Sequence, residues 1–261
     1  MIADVQSQPD HRNIPIDKVG VKNIRYPITV LDRDRGKQQT VATINMYVDL
    51  PHDHKGTHMS RFVEILSKYS HNIDIRNLRE ILEEMKRRLN ARSAHLEVEF
   101  PYFMEKHAPI SKARSLMGYT VVYRGSLEAG RMDLVVEVQV PVTTLCPCSR
   151  EISEVGAHNQ RGIVRLAVRF KRFIWIEDLI RLVENSASSE VYSLLKREDE
   201  KFVTEHAYHH PMFVEDIVRE ICRKLESDPN IVWFAVDSEN FESIHNHSAY
   251  AYIERDKRSP S

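Results

Sequence analysis

The chain has 261 residues, room for one large domain or two fused modules of about 120 residues each, and 42% of them are hydrophobic, which excludes global disorder. A formal charge of −1 excludes a bulk polyanion or nucleic-acid binder, so any phosphate-binding patch must be local. Three cysteines, an odd number with no apolar leader at the N-terminus, argue against a disulfide framework and for a reducing cytoplasm; no apolar run approaches the roughly 20 residues that span a bilayer, so no membrane partner is expected.

In chain order, residues 1–20 read as a flexible tail. Lys22–Asp32 and Gln39–Leu50 read as strands joined by a turn, and alternation in the second places Val41, Ile44, Met46 and Val48 on one face. The loop PHDHKGTH follows, with Ser60 as N-cap of a helix over RFVEILSKYS. A second helix over Asp74–Ala91 keeps Ile75, Leu78, Ile81, Leu82, Met85 and Leu89 at helical spacing. Strands follow over Ala94–Phe103, Gly118–Glu128 and Met132–Val142. After a cysteine-bearing segment the order repeats: a strand over Gly162–Lys171, then helices over Trp175–Ala187 (stripe Ile176, Leu179, Ile180, Val183) and Phe213–Ser227 (stripe Phe213, Ile217, Ile221, Leu225). Strands over Asn230–Asn240 and His245–Arg255 close the chain. The expected class is α+β, with two ββααββ modules whose antiparallel sheets carry their helices on one face. The expected boundaries are 21–142 for the first module and 143–261 for the second, which carries most of the chemistry.

That chemistry starts in Thr144–Gly162, TLCPCSREISEVGAHNQRG, with Cys146, Cys148 and His158. A thiolate and a neutral imidazole are both strong ligands for a borderline-soft metal, and the loop between them is long enough to bring both to one ion. A structural zinc site wants four protein ligands, usually two cysteine pairs, which this chain does not supply. Fewer protein ligands leave a position open for water, the catalytic arrangement. Pro147 would hold the two cysteines in a stiff extended turn. One sulfur would bind metal while the other stays free with a lowered pKa; the spacing does not say which. Two small buried thiols and an ordinary loop histidine meet the same spacing.

Leu194–Glu220 mixes carboxylates and histidines just before and inside a helix. Glu200 is a hard oxygen donor suited to complete a Cys/His/carboxylate set. Glu215 falls near the start of a helix beginning about Met212, where a carboxylate suits an amidine-like edge such as the N–H groups of guanine. Either glutamate is equally a solvated or first-turn helix charge. His245 and His247, if in a strand, share a face, and one of them suits general acid/base work; an exposed polar face explains them as well. Lys55, His58 and Arg61 surround Gly56 at a helix entrance, which suits a phosphate or simply a solvated basic loop; no P-loop is present.

Five segments, KGTHMSRF, CPCSREISEVGAHNQRG, YSLLKREDEKFVTEHAY, HPMFVEDIVRE and ENFESIHNHSAYA, occur in that order between about Lys22 and Glu254. Together they resemble the bacterial GTP cyclohydrolases of type IB. The resemblance implies a bimodular tunnelling fold (T-fold) and a cytoplasmic homotetramer with active sites at subunit interfaces. It implies GTP as substrate, opening of its imidazole ring, release of C8 as formate and closure to 7,8-dihydroneopterin triphosphate, the first step of folate biosynthesis. It also implies a divalent metal, manganese, zinc or iron. On the matching positions, Cys146, His158 and Glu200 resemble the metal ligands and Cys148 the free active-site thiol, so that Cys146, Cys148 and His245 form the catalytic group. His245 resembles the acid/base histidine and Glu215 the guanine anchor, while Lys55, His58 and Arg61 are triphosphate candidates. Two alternatives stand beside this. A deazaguanine nitrile reductase of the same fold would share Glu215 but needs no metal, and its nicotinamide-binding signatures are not seen here. A non-catalytic metal-binding scaffold would explain the thiols but not Glu215 and His245.

Overall fold

Asp32 makes the first turn. Its Oδ1 accepts from the N–H groups of Asp34 at 2.9 Å and Arg35 at 2.8 Å, and Gly36 takes the left-handed φ of 78° that other residues resist. The chain therefore folds back as a hairpin of β1 (Ile16–Asp32) and β2 (Gly36–Leu50), with Asp32 opposite Gly36. The structure is a computed structural model that describes residues 10–69 and 73–258. Residues 1–9 of the expected tail, and Ser70 at the end of the first helical stretch, lie outside the described residues; residues 16–20 belong to β1.

The elements after the hairpin are α1 (Met59–Tyr69), α2 (Leu78–Leu89), β3 (Ser93–His107), β4 (Arg114–Glu128) and β5 (Arg131–Leu145). Then come α3 (Pro147–Ile152), β6 (Asn159–Phe170), α4 (Ile176–Glu184), β7 (Ser189–Glu190), α5 (Arg197–His209), α6 (Val214–Ser227), β8 (Ile231–Phe241) and β9 (Ser248–Asp256). The strand–strand–helix–helix–strand–strand order thus occurs twice, with α3, β7 and α5 as insertions in the second round. None of the described helices is long and apolar enough to cross a membrane.

Two compact units divide the chain: Met1–Pro101 with Val122–Val135, and Tyr102–Val121 with Val136–Ser261. In the first unit β1, β2 and β3 are antiparallel neighbours. Ala42, Ile44, Met46 and Val48 of β2 are buried on one face. Against the hairpin lie α1, through Phe62, Ile65, Leu66 and Tyr69, and α2, through Leu78, Ile81, Leu82 and Met85. Each such side chain taken from water contributes roughly 1.5–3 kcal/mol. In the second unit the order is β5–β6–β8–β9, all antiparallel, with β7 on β5. There α6 packs on β8 and β9 through Ile217, Ile221 and Leu225, and α4 packs on β6 with its stripe buried as expected.

Several local expectations change. Val41 points outward, 47% exposed, and Ala42 takes the inward position instead. Ser60 lies inside α1 rather than capping it. Phe213 is the N-cap of α6 and 40% exposed, so the α6 stripe begins a turn later. His245 and His247 precede β9 and do not form part of a strand. Pro147 does not hold an extended turn: it is the first residue of the short helix α3, where a missing N–H costs nothing.

Candidate functional site

Strand register sets out the site row by row. The β5–β6 ladder ends on Leu145 opposite Asn159. One step further, the N–H of Cys146 donates to the carbonyl of His158 at 3.1 Å, so these two residues are cross-strand neighbours. One row inward, Thr144 faces Gln160; the next row places Gly162 opposite Asn240, and the one after it Val164 opposite Ser238. Opposed residues and their i+2 neighbours share a face, so Cys146 and His158 form the rim of a polar patch running down to Ser238.

Ser149 holds the rim together. Cys146 is the N-cap of α3, its Sγ accepting from the Ser149 N–H at 3.4 Å, while the Ser149 Oγ accepts from the His158 N–H at 3.2 Å. Cys148 is exposed on α3; both thiols are free, and Cys222 is buried in α6. The Arg150 guanidinium lies 4.7 Å over the Tyr208 ring, joining α3 to α5.

A second anchor brings α6 to this rim. The Met212 N–H donates to the Leu145 carbonyl at 3.0 Å, at the very end of β5. Asp216 does the capping, accepting from the Phe213 N–H at 3.0 Å, and Glu215 remains in the first turn, where it borders the cavity. The cavity holds about 270 Å³ and is bordered by Cys146, His158, Gln160, Phe213, Glu215, Asn240, Glu242, His245 and His247. The rings of His245 and His247 stack at 5.0 Å. A larger cavity of about 470 Å³ in the first unit, between Lys18, Asp49, Arg92 and His95, contains no thiol and none of the motif residues.

Cys146, His158, Glu215 and His245 therefore come together, with Cys148 close in sequence on α3. Glu200 is exposed in the first turn of α5 and does not border the cavity. Its neighbour Asp199 is fully buried and committed elsewhere: its carboxylate accepts from the N–H groups of Ile110, Ser111 and Lys196 and from the Ser111 hydroxyl at 2.6 Å. Burial alone would raise its pKa, but these donors outweigh it and hold the carboxyl well below the usual range. Lys55, His58 and Arg61 belong to the first unit. Lys55 borders a small cavity with Asp10, Arg12 and His54, and Arg61 donates to the Arg88 carbonyl at 3.0 Å.

Sequence reasoning missed Glu242. It follows β8, one residue past the Arg161–Phe241 pair that ends the β6–β8 ladder, and Gln160 Nε2 donates to its Oε1 at 3.2 Å; its Oε2 lies 4.0 Å from His158 Nδ1. Register alone reveals this pairing, because locally Glu242 is one polar residue in a turn. Also unread were the polar side chains beneath it. Gln160 Oε1, Asn240 Oδ1, Thr144 Oγ1 and Ser238 Oγ are buried with no hydrogen-bond partner, where buried oxygens are normally paired. Gly162 makes the room: a Cβ there would stand 2.5 Å from Asn240 Oδ1.

A sulfur and an imidazole nitrogen side by side at the rim of a polar cavity suit a borderline-soft divalent cation. They are two donors of a set; among the described residues no three His, Cys, Asp or Glu side chains gather as a complete metal group.

Residues 2–251 match the family model for type I GTP cyclohydrolase folE2. The chain is 63% identical over 255 residues to a GTP cyclohydrolase FolE2 of Syntrophobacter fumaroxidans, covering 97% of this chain and 99% of that one. It is 64% identical over 251 residues to that of Syntrophotalea carbinolica (96% and 94% covered) and 61% over 255 to that of Geobacter sulfurreducens (98% of each). Among solved structures it is similar to a uricase from Bacillus fastidious, with a TM-score of 0.58 at 7% identity over 92% of this chain and 93% of that one. It is also similar to the uricase of Arthrobacter globiformis, at 0.52 and 8% over 94% and 95%. At such identities the likeness bears on fold alone, and it agrees with the α+β tunnelling fold expected from the sequence.

Proposed function

The chain belongs to the FolE2 family of type I GTP cyclohydrolases and is a GTP cyclohydrolase of folate biosynthesis, and from that premise we propose how its second unit carries the reaction. Glu215 accepts from N1–H and the 2-amino group of guanine, which orients the imidazole half of the base toward the Cys146–His158 rim. Water adds across the C8–N7 bond, its oxygen to C8 and a proton to N7; His245 is the proton donor. The C8–N9 bond then breaks, N9 takes the hydroxyl proton, and C8 remains as a formamide on N7. A second water releases it as formate, and closure of the rearranged sugar gives 7,8-dihydroneopterin triphosphate. Cys148, exposed beside the rim, carries protons in the later steps; acid/base help of this kind contributes roughly 10²–10⁴-fold per group.

A divalent metal, manganese, zinc or iron, would be held by Cys146 and His158 and would supply Lewis acidity and an acidified water when bound; Glu200, which does not border this cavity, is proposed as third ligand on the family resemblance alone. Lys55, His58 and Arg61 are proposed for the triphosphate on charge and on their place at the start of α1. A cytoplasmic homotetramer with interfacial sites is proposed as well. Ile152 and Val155, 84% and 96% exposed between Cys148 and His158, are apolar side chains that such an interface would cover.

The observation that carries this reading is the cavity that joins Cys146, His158, Glu215 and His245. Its test is incubation with GTP and Mn²⁺. Formate and a pterin that fluoresces after oxidation are the expected products. NADPH consumption with a nitrile substrate would replace the reading by a reductase, and the absence of both activities would leave a scaffold.

A further inference from the structure

We infer that Ser188 is a positioning residue for the reaction: through Leu145 it sets the spacing between the Cys146–His158 rim and the first turn of α6, which carries Glu215. The Cys146 N–H bonds to the His158 carbonyl, across from β5 to the start of β6. Alternation along an antiparallel pair then turns both backbone groups of Leu145 away from β6. On that far side β7 pairs only with Val142 and Thr143 and has already ended. The two groups are met by other means. The Ser188 Oγ accepts from the Leu145 N–H at 3.2 Å, and the Met212 N–H donates to the Leu145 carbonyl at 3.0 Å. Both supports of the site thus meet on one residue, and Cys146 is the next in the chain.

These contacts close a circuit. From Met212 the chain runs through α6 to Lys224, whose Nζ donates to the Asn185 carbonyl at 2.9 Å and to the Ser186 Oγ at 2.8 Å. Ser186 donates in turn to the Leu182 carbonyl of α4 at 2.7 Å, and two residues on Ser188 returns to Leu145. Moving α6 against the end of β5 must break a contact of this circuit. Ser188 is fully buried and Leu145 is 4% exposed, so water does not stand ready to replace the hydroxyl, and a buried N–H without a partner is strongly disfavoured. Ser188 does not border the cavity, so its effect falls on how two half-sites stand to each other. Each half stays whole without it: Cys146 keeps its bond to His158, and Asp216 still caps the turn of Glu215. Catalysis needs both at once, because the base is gripped by one and C8 is attacked at the other.

The effect on turnover rests on the proposed cyclohydrolase reaction; the coupling of Leu145 to Met212 rests on geometry alone. The test uses the full-length wild type, Ser188→Ala, Lys224→Met and the double variant, each assayed well below its melting midpoint. Hydrogen exchange in metal-free protein, read by mass spectrometry, is expected to quicken in Ser188→Ala over residues 143–147 and also over 210–214, although the lost bond was to Leu145. The kcat for formate release falls about 10–100-fold, as for a misplacement of about 1 Å, with bound Mn²⁺ and the KM for GTP little changed. Lys224→Met opens the same circuit, so it quickens exchange in the same two segments, and the double variant loses little beyond Ser188→Ala. Should Ser188→Ala fail to fold, exchange in Lys224→Met decides alone. A lower melting midpoint with wild-type kcat and wild-type exchange over 210–214 would reduce Ser188 to a structural residue and overturn the inference. So would fully multiplicative kcat losses in the double variant. Formate release by the wild type is scored separately: its absence would sink the cyclohydrolase reading and leave the exchange result to stand or fall by itself.

Discussion

Around Lys106 the second unit matches buried charge with charge, whereas under the cavity it leaves buried oxygens without a partner. The Lys106 ammonium reaches Glu184 at 2.7 Å, Glu190 at 2.6 Å and the Val191 carbonyl at 3.1 Å, with the Tyr192 ring beneath it at 4.4 Å. Tyr119 donates to the same Glu184 oxygen at 2.7 Å. Burial pushes the Glu184 pKa up and Lys106 opposes it; burial and then Glu184 push the Tyr119 hydroxyl far up. In the other cluster, one side-chain oxygen of each of Thr144, Gln160, Asn240 and Ser238 is buried without a hydrogen-bond partner. Satisfied buried networks fix a structure, and unsatisfied ones burden it. The difference separates a part of the unit that holds the fold from a part that is open to chemistry, and the two should fail in different assays.

The largest effect is expected at the cavity rim. Cys146→Ala should lose bound metal and all formate release while its melting midpoint stays near that of the wild type; full metal content with full turnover would remove Cys146 from the ligand set. Glu215→Ala comes next. Two charge-assisted hydrogen bonds of roughly 1.5–3 kcal/mol each predict a GTP affinity about 10²–10⁴-fold weaker, with metal content intact, as read by equilibrium binding and elemental analysis.

The paired cluster should answer in stability instead. Lys106→Met leaves the buried Glu184 and the half-buried Glu190 without their cation, and a urea titration should show a loss of about 3–5 kcal/mol, most of it from Glu184. Asp199 gives a pH signature. Its folded pKa is depressed, so its contribution is present above the unfolded value of about 3.9 and is lost as pH falls through that value toward the folded one. Asp199→Asn should melt lower at neutral pH, and its midpoint should fall less than that of the wild type on acidification from about pH 5 to 3. The smallest effect is the sharpest for the contrast. Asn240→Leu removes an orphaned acceptor, so its melting midpoint should hold or rise; a clear fall would mean that the oxygens under the cavity are as structural as those around Lys106.

Much of this was legible in the sequence. The repeated strand–strand–helix–helix–strand–strand order follows from apolar periods of two and 3.6, and the α4 stripe and Leu78, Ile81, Leu82 and Met85 of α2 bury as their spacing requires, whereas Ile75 falls in the turn before α2 and, like Leu89, is only half-buried. Helix α5 was not legible because it has no apolar stripe: only Asp199 and Ala207 are buried on it. Helix α3 is too short for periodicity to speak. At the site, residue type and motif pointed to Cys146, His158, Glu215 and His245, which share one cavity. They did not point to Glu242 or Asn240, whose places at the cavity come from the pairing of β8 with β6. Nor did they separate Glu198, Asp199 and Glu200, adjacent carboxylates that only contacts distinguish.

Gly162 and Asn240 behave as one character. The backbone of Gly162 does not need the special freedom of glycine; the residue is small because the amide of its cross-strand partner occupies the space a methyl group would take. A side chain at 162 needs the carboxamide of residue 240 to move or go and the Glu239 carbonyl, 3.2 Å from such a Cβ, to give a little, so change at 162 is tied to change at 240, and a survey of either one alone would overstate how strictly it is held.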